Sequence, residues 1–290
     1  MSILVDGDTP VLIQGITGRT GQLYAERMLA GGTRLVAGVT PGKGGATVSG
    51  VPVFDSMREA KAATGATAVM SCVGPAHAVE GLIEAAEAGF DLSVVYIENI
   101  PVHDAILMRA YAKAHGLRML GPNSAGVVSP GRCNLSDLND ANLERGRVGI
   151  VSKSGTMTYE VISELRDHGI GTSTVVCLGG DRVIGATYTE ILPLFEADDE
   201  TDAVIVIGEP GGGLEHEAAR VATAMRTPVV AFIIGQHAPP AARMGHAGAV
   251  VGDDARSTPA AKVRSFETAG CRVARLITEV APLVEEALAG

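Results

Sequence analysis

The chain contains no tryptophan, and only 3% of its 290 residues are aromatic. A core of stacked rings is therefore excluded, and close packing must come from Val, Ile, Leu and Ala, with glycine where elements approach one another. That is the composition of a buried parallel sheet under helices. Positive charge is also scarce. The 23 Lys and Arg stand against 33 Asp and Glu, a net charge of −10, so the broad basic field needed for non-specific binding of nucleic acid or an anionic membrane is missing. A local basic site for a phosphorylated ligand stays open. The four cysteines, Cys72, Cys133, Cys177 and Cys271, form no C-x-x-C pair; no metal site or disulfide framework is expected, and they read as small buried hydrophobes. No apolar run nears the roughly 18 residues of a membrane span, and the start M-S-I-L-V-D-G-D carries acids where a signal peptide carries bases. A cytoplasmic protein is expected.

The length is enough for two domains at roughly 150 residues each. Glycine is abundant, with 37 residues against 14 prolines, which places glycines in structured turns. Residues 10–14 form a short apolar run, 22–29 read as helix, and 34–39 are apolar again, a beta-alpha-beta opening. A strand at 67–73, a helix with Val79, Leu82, Ile83 and Ala86 on one face, a strand at 92–97 and a helix through Ile106 to Ala114 continue the alternation, with about five strands before Gly121. Between 122 and 147 the apolar pattern lapses into turn residues and acids. It restarts with strands at 148–151, 174–178, 203–207 and 229–234 separated by helices, and closes with a helix, a strand and a helix over 257–288. Such spacing requires right-handed crossovers and parallel sheets. The expected architecture is α/β, two doubly wound domains: a Rossmann-like domain at 1–125, a junction at 126–146, and a flavodoxin-like domain at 147–290.

The first strand runs into Gly15-Ile16-Thr17-Gly18-Arg19-Thr20-Gly21, a glycine-rich turn entering a helix, where free backbone N–H groups and the helix dipole can hold phosphate. Its spacing is G-x-x-G-x-x-G, not the dinucleotide G-x-G-x-x-G, and a tight strand-to-helix corner is the plainer alternative. The second strand ends in V-T-P-G-K-G-G, so Lys43 replaces the acid that an NAD ribose wants. That favours coenzyme A or NADP, although a solvated loop lysine would look the same. Glu98, after Tyr96 and Ile97, sits at the carboxyl edge where open parallel sheets bind ligands; an acid beside the next helix start is the other reading. In the second half, Ser152 to Glu160 repeats the strand, hydroxyl turn and helix pattern, a second anion cradle. The turn Gly121-Pro122-Asn123-Ser124 could aim further N–H groups at the same anion if it too opens a helix; simple caps explain either segment alone. Of seven histidines, those at 77, 103, 115, 168, 216 and 237 read as surface or packing residues. His246 lies between glycines, and Glu209, ending a strand, is a carboxylate able to fix its tautomer.

These residues together resemble the alpha subunit of succinyl-coenzyme A synthetase and its acid-thiol ligase relatives, including malate-coenzyme A ligase. The matching segments are Q-G-I-T-G-R-T-G at 14–21, G-V-T-P-G-K-G-G at 38–45, G-P-N at 121–123, G-I-V-S-K-S-G-T-M-T-Y-E at 149–160 and R-M-G-H-A-G at 243–248, in the same order along essentially the whole chain. The resemblance implies that Thr17, Gly18, Arg19, Thr20 and Lys43 bind coenzyme A, that Tyr96, Ile97 and Glu98 line that site, and that Tyr159 lies at the acid-substrate position. It further implies that His246 is transiently phosphorylated, that Glu209 orients its ring, and that Asn123, Ser124, Ser154, Gly155 and Thr156 hold the phosphate. No P-loop is present; the family supplies magnesium and ATP or GTP from a separate ATP-grasp beta subunit, so a partner chain in a hetero-oligomer is implied, with a small dicarboxylate as substrate.

The chain departs from the family in places. Ser124-Ala125 stands where Cys-Pro is usual, Val73 to His77 where a proline-rich segment is usual, and Asn99 where Gly is usual. The stretch 134–145 lacks a P-G-H sequence, and Pro210 replaces Ile. These changes surround the acyl site, so malate or citrate are alternatives to succinate. An NADP-dependent oxidoreductase or a non-catalytic coenzyme A-binding regulator would leave the second anion cradle, or His246 and Glu209, without a role.

Overall fold

The computed structural model describes residues 2–236, 245–251 and 254–290. The chain folds into two seven-stranded sheets. In the first half the elements are β1 (Val11–Gln14), α1 (Arg19–Ala30), β2 (Leu35–Val39), β3 (Thr47–Val48), β4 (Val51–Phe54), α2 (Met57–Thr64), β5 (Ala68–Ser71), α3 (Ala78–Glu87), β6 (Leu92–Val95), α4 (Val102–Ala114) and β7 (Arg118–Leu120). The sheet order is β3-β4-β2-β1-β5-β6-β7. All its pairings are parallel except β3 with β4. Without the short edge strand β3, this is the Rossmann strand order, whose switch point falls between β1 and β5.

The second half contains β8 (Gly126–Ser129), β9 (Cys133–Ser136), β10 (Arg145–Ser152), α5 (Gly155–Asp167), β11 (Thr172–Cys177), α6 (Tyr188–Glu196), β12 (Ala203–Gly208), α7 (Leu214–Ala222), β13 (Val229–Ile233), α8 (Pro259–Thr268), β14 (Arg272–Ala274) and α9 (Val280–Leu288). The order β14-β13-β12-β10-β11-β8-β9 has a flavodoxin-like parallel core with its switch point between β10 and β12. The strands β10 to β13 are buried from end to end apart from the first three residues of β10, as a sheet covered on both faces requires. Gly149 shows how tightly the cover sits: a Cβ there would lie 2.5 Å from the Phe195 ring of α6.

Three expectations are corrected. The segment 126–146 is no linker, because β8 and β9 extend the second sheet by antiparallel pairing. Their buried residues include Ser129, Asn134 and Ser136, whose polar groups are satisfied internally, so no apolar alternation marks them. Asn134 N–H donates to Thr33 Oγ1 at 2.8 Å, and Asn134 Nδ2 donates to Leu138 O at 3.0 Å. The first residues also leave the first domain: Ser129 Oγ donates to Val5 O at 2.9 Å, and Ile3 and Val5 join a core cluster shared by both sheets. Finally, the first sheet has seven strands rather than about five; β3 is only two residues long, and Pro52 interrupts the four residues of β4, where a proline argues against a strand.

Candidate active site

The carboxyl edges of both sheets meet around one cavity of about 540 Å³ lined by residues of both domains, including Thr20, Tyr96, Ile97, Glu98, Asn123, Ser124, Gly155, Thr156, Tyr159 and His246. Residues read separately from the sequence thus share one space. At its first-domain side, the turn after β1 enters α1 with no acid in the first helical turn, so no carboxylate of the helix competes for its exposed N–H groups. The turn is compact: a Cβ at Gly21 would lie 2.3 Å from Gly15 O. Thr17 Oγ1 donates to Thr40 Oγ1 at 3.2 Å, tying this turn to the loop that carries Lys43. Gly18, Arg19 and Lys43 are exposed and do not line the cavity. Glycine-lined backbone and the exposed cations Arg19 and Lys43, which have no ion-pair partner among the described residues, fit a diphosphate-bearing ligand such as coenzyme A.

From the second domain, α5 begins at Gly155, again without an acid in its first turn, and Ser154 caps it by accepting the Met157 N–H. Ser154 is buried and already used in this way, so Gly155 and Thr156 present the helix end to the cavity. The expectation that Asn123 and Ser124 open a helix is not met. They form a strap into β8, where Asn123 has a positive φ of 55°. The N–H groups of Asn123 and Ser124 donate to Ile97 O and Val95 O. Ser124 Oγ donates to Cys177 O at 2.6 Å and accepts from Gly126 N–H at 2.9 Å. The strap therefore joins the two sheets and closes the cavity floor; its amides are not free for an anion.

His246 and Glu209 come together. His246 Nδ1 lies 2.7 Å from Glu209 Oε2, and Lys153 Nζ lies 2.9 Å from Glu209 Oε1. Glu209 follows β12 and Lys153 follows β10, so the triad straddles the switch point of the second sheet. The Glu209 hydrogen bond raises the His246 pKa above its ordinary value, while burial and Lys153 oppose it. With Nδ1–H directed at the carboxylate, Nε2 keeps a free lone pair at the cavity wall. The ring is seated against Gly180, where a Cβ would lie 2.6 Å from its Cγ and Nδ1. Arg182 Nε donates to Ala247 O at 3.0 Å, and Gly248 N–H donates to Gly180 O at 3.1 Å. Residues 237–244, with His237, Arg243 and Met244, lie outside the described residues.

Sequence reasoning passed over three charged residues here. Lys153 sat inside the strand-turn-helix motif and was legible from that position. Asp181, after β11, is raised by burial and hydrogen-bonded by Asn123 near His246; the Gly179-Gly180-Asp181 turn was its only mark. Asp137 lines the cavity, and burial pushes its carboxyl up to about 6. Its Oδ1 is buried with no hydrogen-bond partner among the described residues, and its backbone carbonyl accepts the Tyr159 hydroxyl. Among the described residues, no group of three or more His, Cys, Asp or Glu could hold a metal ion.

Residues 6–99 match the family model of the CoA binding domain, and residues 151–263 match that of the CoA-ligase domain. A protein of Archaeoglobus fulgidus named succinate–CoA ligase [ADP-forming] subunit alpha 2 is 46% identical over 288 residues, covering 99% of this chain and 100% of that protein. The chain belongs to the succinate–CoA ligase alpha-subunit family. A Staphylococcus aureus protein named succinate–CoA ligase [ADP-forming] subunit alpha is 42% identical, with 99% of this chain and 95% of that one covered. The fold is also that of ATP citrate lyase from Methanothrix soehngenii, solved with citrate and coenzyme A, at a TM-score of 0.89 and 23% identity over 99% of this chain and 50% of that chain. Membership in the alpha-subunit family makes the chain a ligase component with a coenzyme A-binding domain. No helix of the described residues is long and apolar enough to cross a membrane.

Proposed function

We propose that this chain is the alpha subunit of an ADP-forming succinate–CoA ligase, in which His246 carries a phosphoryl group between the acyl site and a nucleotide site on a separate ATP-grasp beta chain. The observation that carries the reading is the position of His246: its Nδ1 is held by Glu209 while the ring lines a cavity shared with Thr20, Tyr96 and Tyr159. In the direction of nucleotide synthesis, phosphate attacks the acyl thioester, releasing the thiolate and leaving an acyl phosphate. The Nε2 lone pair then attacks phosphorus, the bond from phosphorus to the acyl oxygen breaks, and the carboxylate leaves. Glu209 supports the positive charge that the ring gains, and the start of α5 at Gly155 and Thr156 faces the phosphoryl oxygens. Transfer of phosphorus from Nε2 to a nucleoside diphosphate restores the neutral imidazole.

Thr17, Gly18, Arg19, Thr20 and Lys43 would hold the phosphates of coenzyme A, with Tyr96, Ile97 and Glu98 along its path and Tyr159 beside the acid. The beta chain would supply magnesium and the nucleotide. The complex would work in the cytoplasm. Asp137 favours a second reading of the substrate, because its buried unpaired oxygen at the cavity suits a hydroxylated dicarboxylate such as malate. Purification with the cognate beta chain, followed by ATP-dependent thioester formation on succinate, malate and citrate, tests both. Succinate is expected to give the highest kcat/KM. A decisive preference for malate or citrate replaces the substrate, and turnover by the alpha chain alone refutes the division of labour.

A further inference from the structure

Directly behind Glu209 lies a second ion pair that the phosphoryl chemistry does not touch. Lys262 of α8 and Glu215 of α7 are both fully buried, with Nζ 2.5 Å from Oε2. The pair grips the peptide backbone of Glu209 from both sides. Glu209 N–H donates to Glu215 Oε1 at 3.2 Å, and Lys262 Nζ donates to Glu209 O at 2.6 Å. The same ammonium donates to Gly211 O, so two of its protons hold backbone carbonyls of this turn while its charge faces Glu215. Gly208 makes room for this arrangement: a Cβ there would lie 2.6 Å from Glu215 Cγ. Gly211, at φ 89°, in turn abuts the loop that follows His246, where a Cβ would lie 2.2 Å from Gly248 O.

A buried ion pair is a poor stabiliser compared with apolar side chains of the same volume. Burial, aided by the nearby Lys153, pulls the Lys262 ammonium below its ordinary range, and Glu215 and Glu209 oppose that pull. A buried pair of this kind, with two Lys262 donors and one Glu215 oxygen directed at the turn that carries the histidine's partner, points to a positional role. We propose that Lys262 and Glu215 are positioning residues for phosphoryl transfer: they lock the backbone of residues 209–211, and through it aim the Glu209 carboxylate at His246 Nδ1. The inference rests on the reading of His246 as the phosphoryl carrier. The charged groups nearest that ring are Glu209, Lys153 and Asp181, with Glu98 on the same cavity; because Lys262 is coupled to Glu209 and Lys153, Lys262 and Glu215 are removed together as a neutral pair, and a change in the titration of His246 then reports orientation.

The test uses the full chain and phosphoramidate as a small-molecule phosphoryl donor, which needs no partner. Lys262→Met with Glu215→Gln removes both charges together and leaves no unpaired buried ion. This double variant is expected to stay folded, to be phosphorylated at His246 about 10- to 100-fold more slowly, the scale for loss of an orienting contact, and to show the His246 NMR titration midpoint lowered toward that of a free imidazole. A folded variant with wild-type rate and midpoint overturns the proposal. Should the double variant not fold, Glu215→Asp decides, since it keeps both charges and withdraws the carboxylate by one methylene: the same slowing and lowered midpoint are expected, and wild-type behaviour overturns it. If the wild-type chain takes no label at His246, the carrier reading fails, and the titration midpoint still decides the positioning role.

Discussion

Replacing Lys153 with methionine separates the two charges that share Glu209. Lys153 and Glu209 are 5% and 1% exposed and lie 2.9 Å apart, while the other carboxylate oxygen holds His246 at 2.7 Å. Removing one partner of a buried pair costs about 3–5 kcal/mol, because the remaining charge is left uncompensated. At about 2–4 °C per kcal/mol for domains of 150–250 residues, that is a fall in Tm of roughly 6–20 °C. The loss is expected to depend on pH. His246 is raised by its bond to Glu209 and lowered by Lys153, so without the lysine its pKa rises further and the imidazolium becomes the counter-charge in contact with the carboxylate. A group with a raised folded-state pKa stabilises fully below its unfolded value, about 6.5 for histidine, and loses that contribution as pH rises through the folded value. The variant should therefore lose least near pH 6 and most near pH 9, estimates set by that histidine range. Its phosphorylation profile should move toward alkaline pH, because the neutral ring appears later. Urea unfolding at both pH values and label incorporation across the range measure this. A loss below about 1 kcal/mol at alkaline pH, the scale of an exposed pair, or an acid-ward profile would refute the reasoning.

Other outcomes follow from the same geometry. Lys43→Ala should weaken coenzyme A binding by about 1.5–3 kcal/mol in calorimetry, the range for a hydrogen bond to a charged group, and tight NAD binding by the wild type would contradict the assignment. Gly180→Ala places a methyl group 2.6 Å from the His246 ring and should slow phosphorylation at least 10-fold, an estimate for loss of ring orientation, while coenzyme A affinity is preserved. Burial pushes the Cys72, Cys133 and Cys177 thiols up to about 12 and Cys271 to about 11. The native protein should thus react slowly with a disulfide reagent at pH 8 and rapidly once unfolded; fast native labelling would show an accessible thiolate.

The α/β class and the two doubly wound parallel cores were legible because fully buried strands such as Ala203–Gly208 read as unbroken apolar runs between helical spacings. What escaped was structure whose burial is polar. Strands β8 and β9 bury Ser129, Asn134 and Ser136 by satisfying them, and the sequence there reads as a turn-rich junction. Lys262 and Glu215 escaped for a related reason: charge implies solvent until a partner is known, and 46 residues lie between this pair along the chain. His246 and Glu209 were legible as strand-end and glycine-flanked groups. The strap at Asn123 and Ser124 was misread because a Gly-Pro-Asn-Ser turn announces a helix cap and a strand entry equally well.

The most direct measurement follows phosphate onto the histidine. The complex of this chain with its beta partner, given ATP labelled at the γ-phosphate, should yield an acid-labile, base-stable label on the alpha chain that maps to Nε2 of His246, since Nδ1 is occupied by Glu209. His246→Asn should take up no label and support no thioester formation, with coenzyme A affinity unchanged because that ligand is held in the other domain. Label or turnover in His246→Asn, or a label on Nδ1, would contradict the phosphoryl-carrier role.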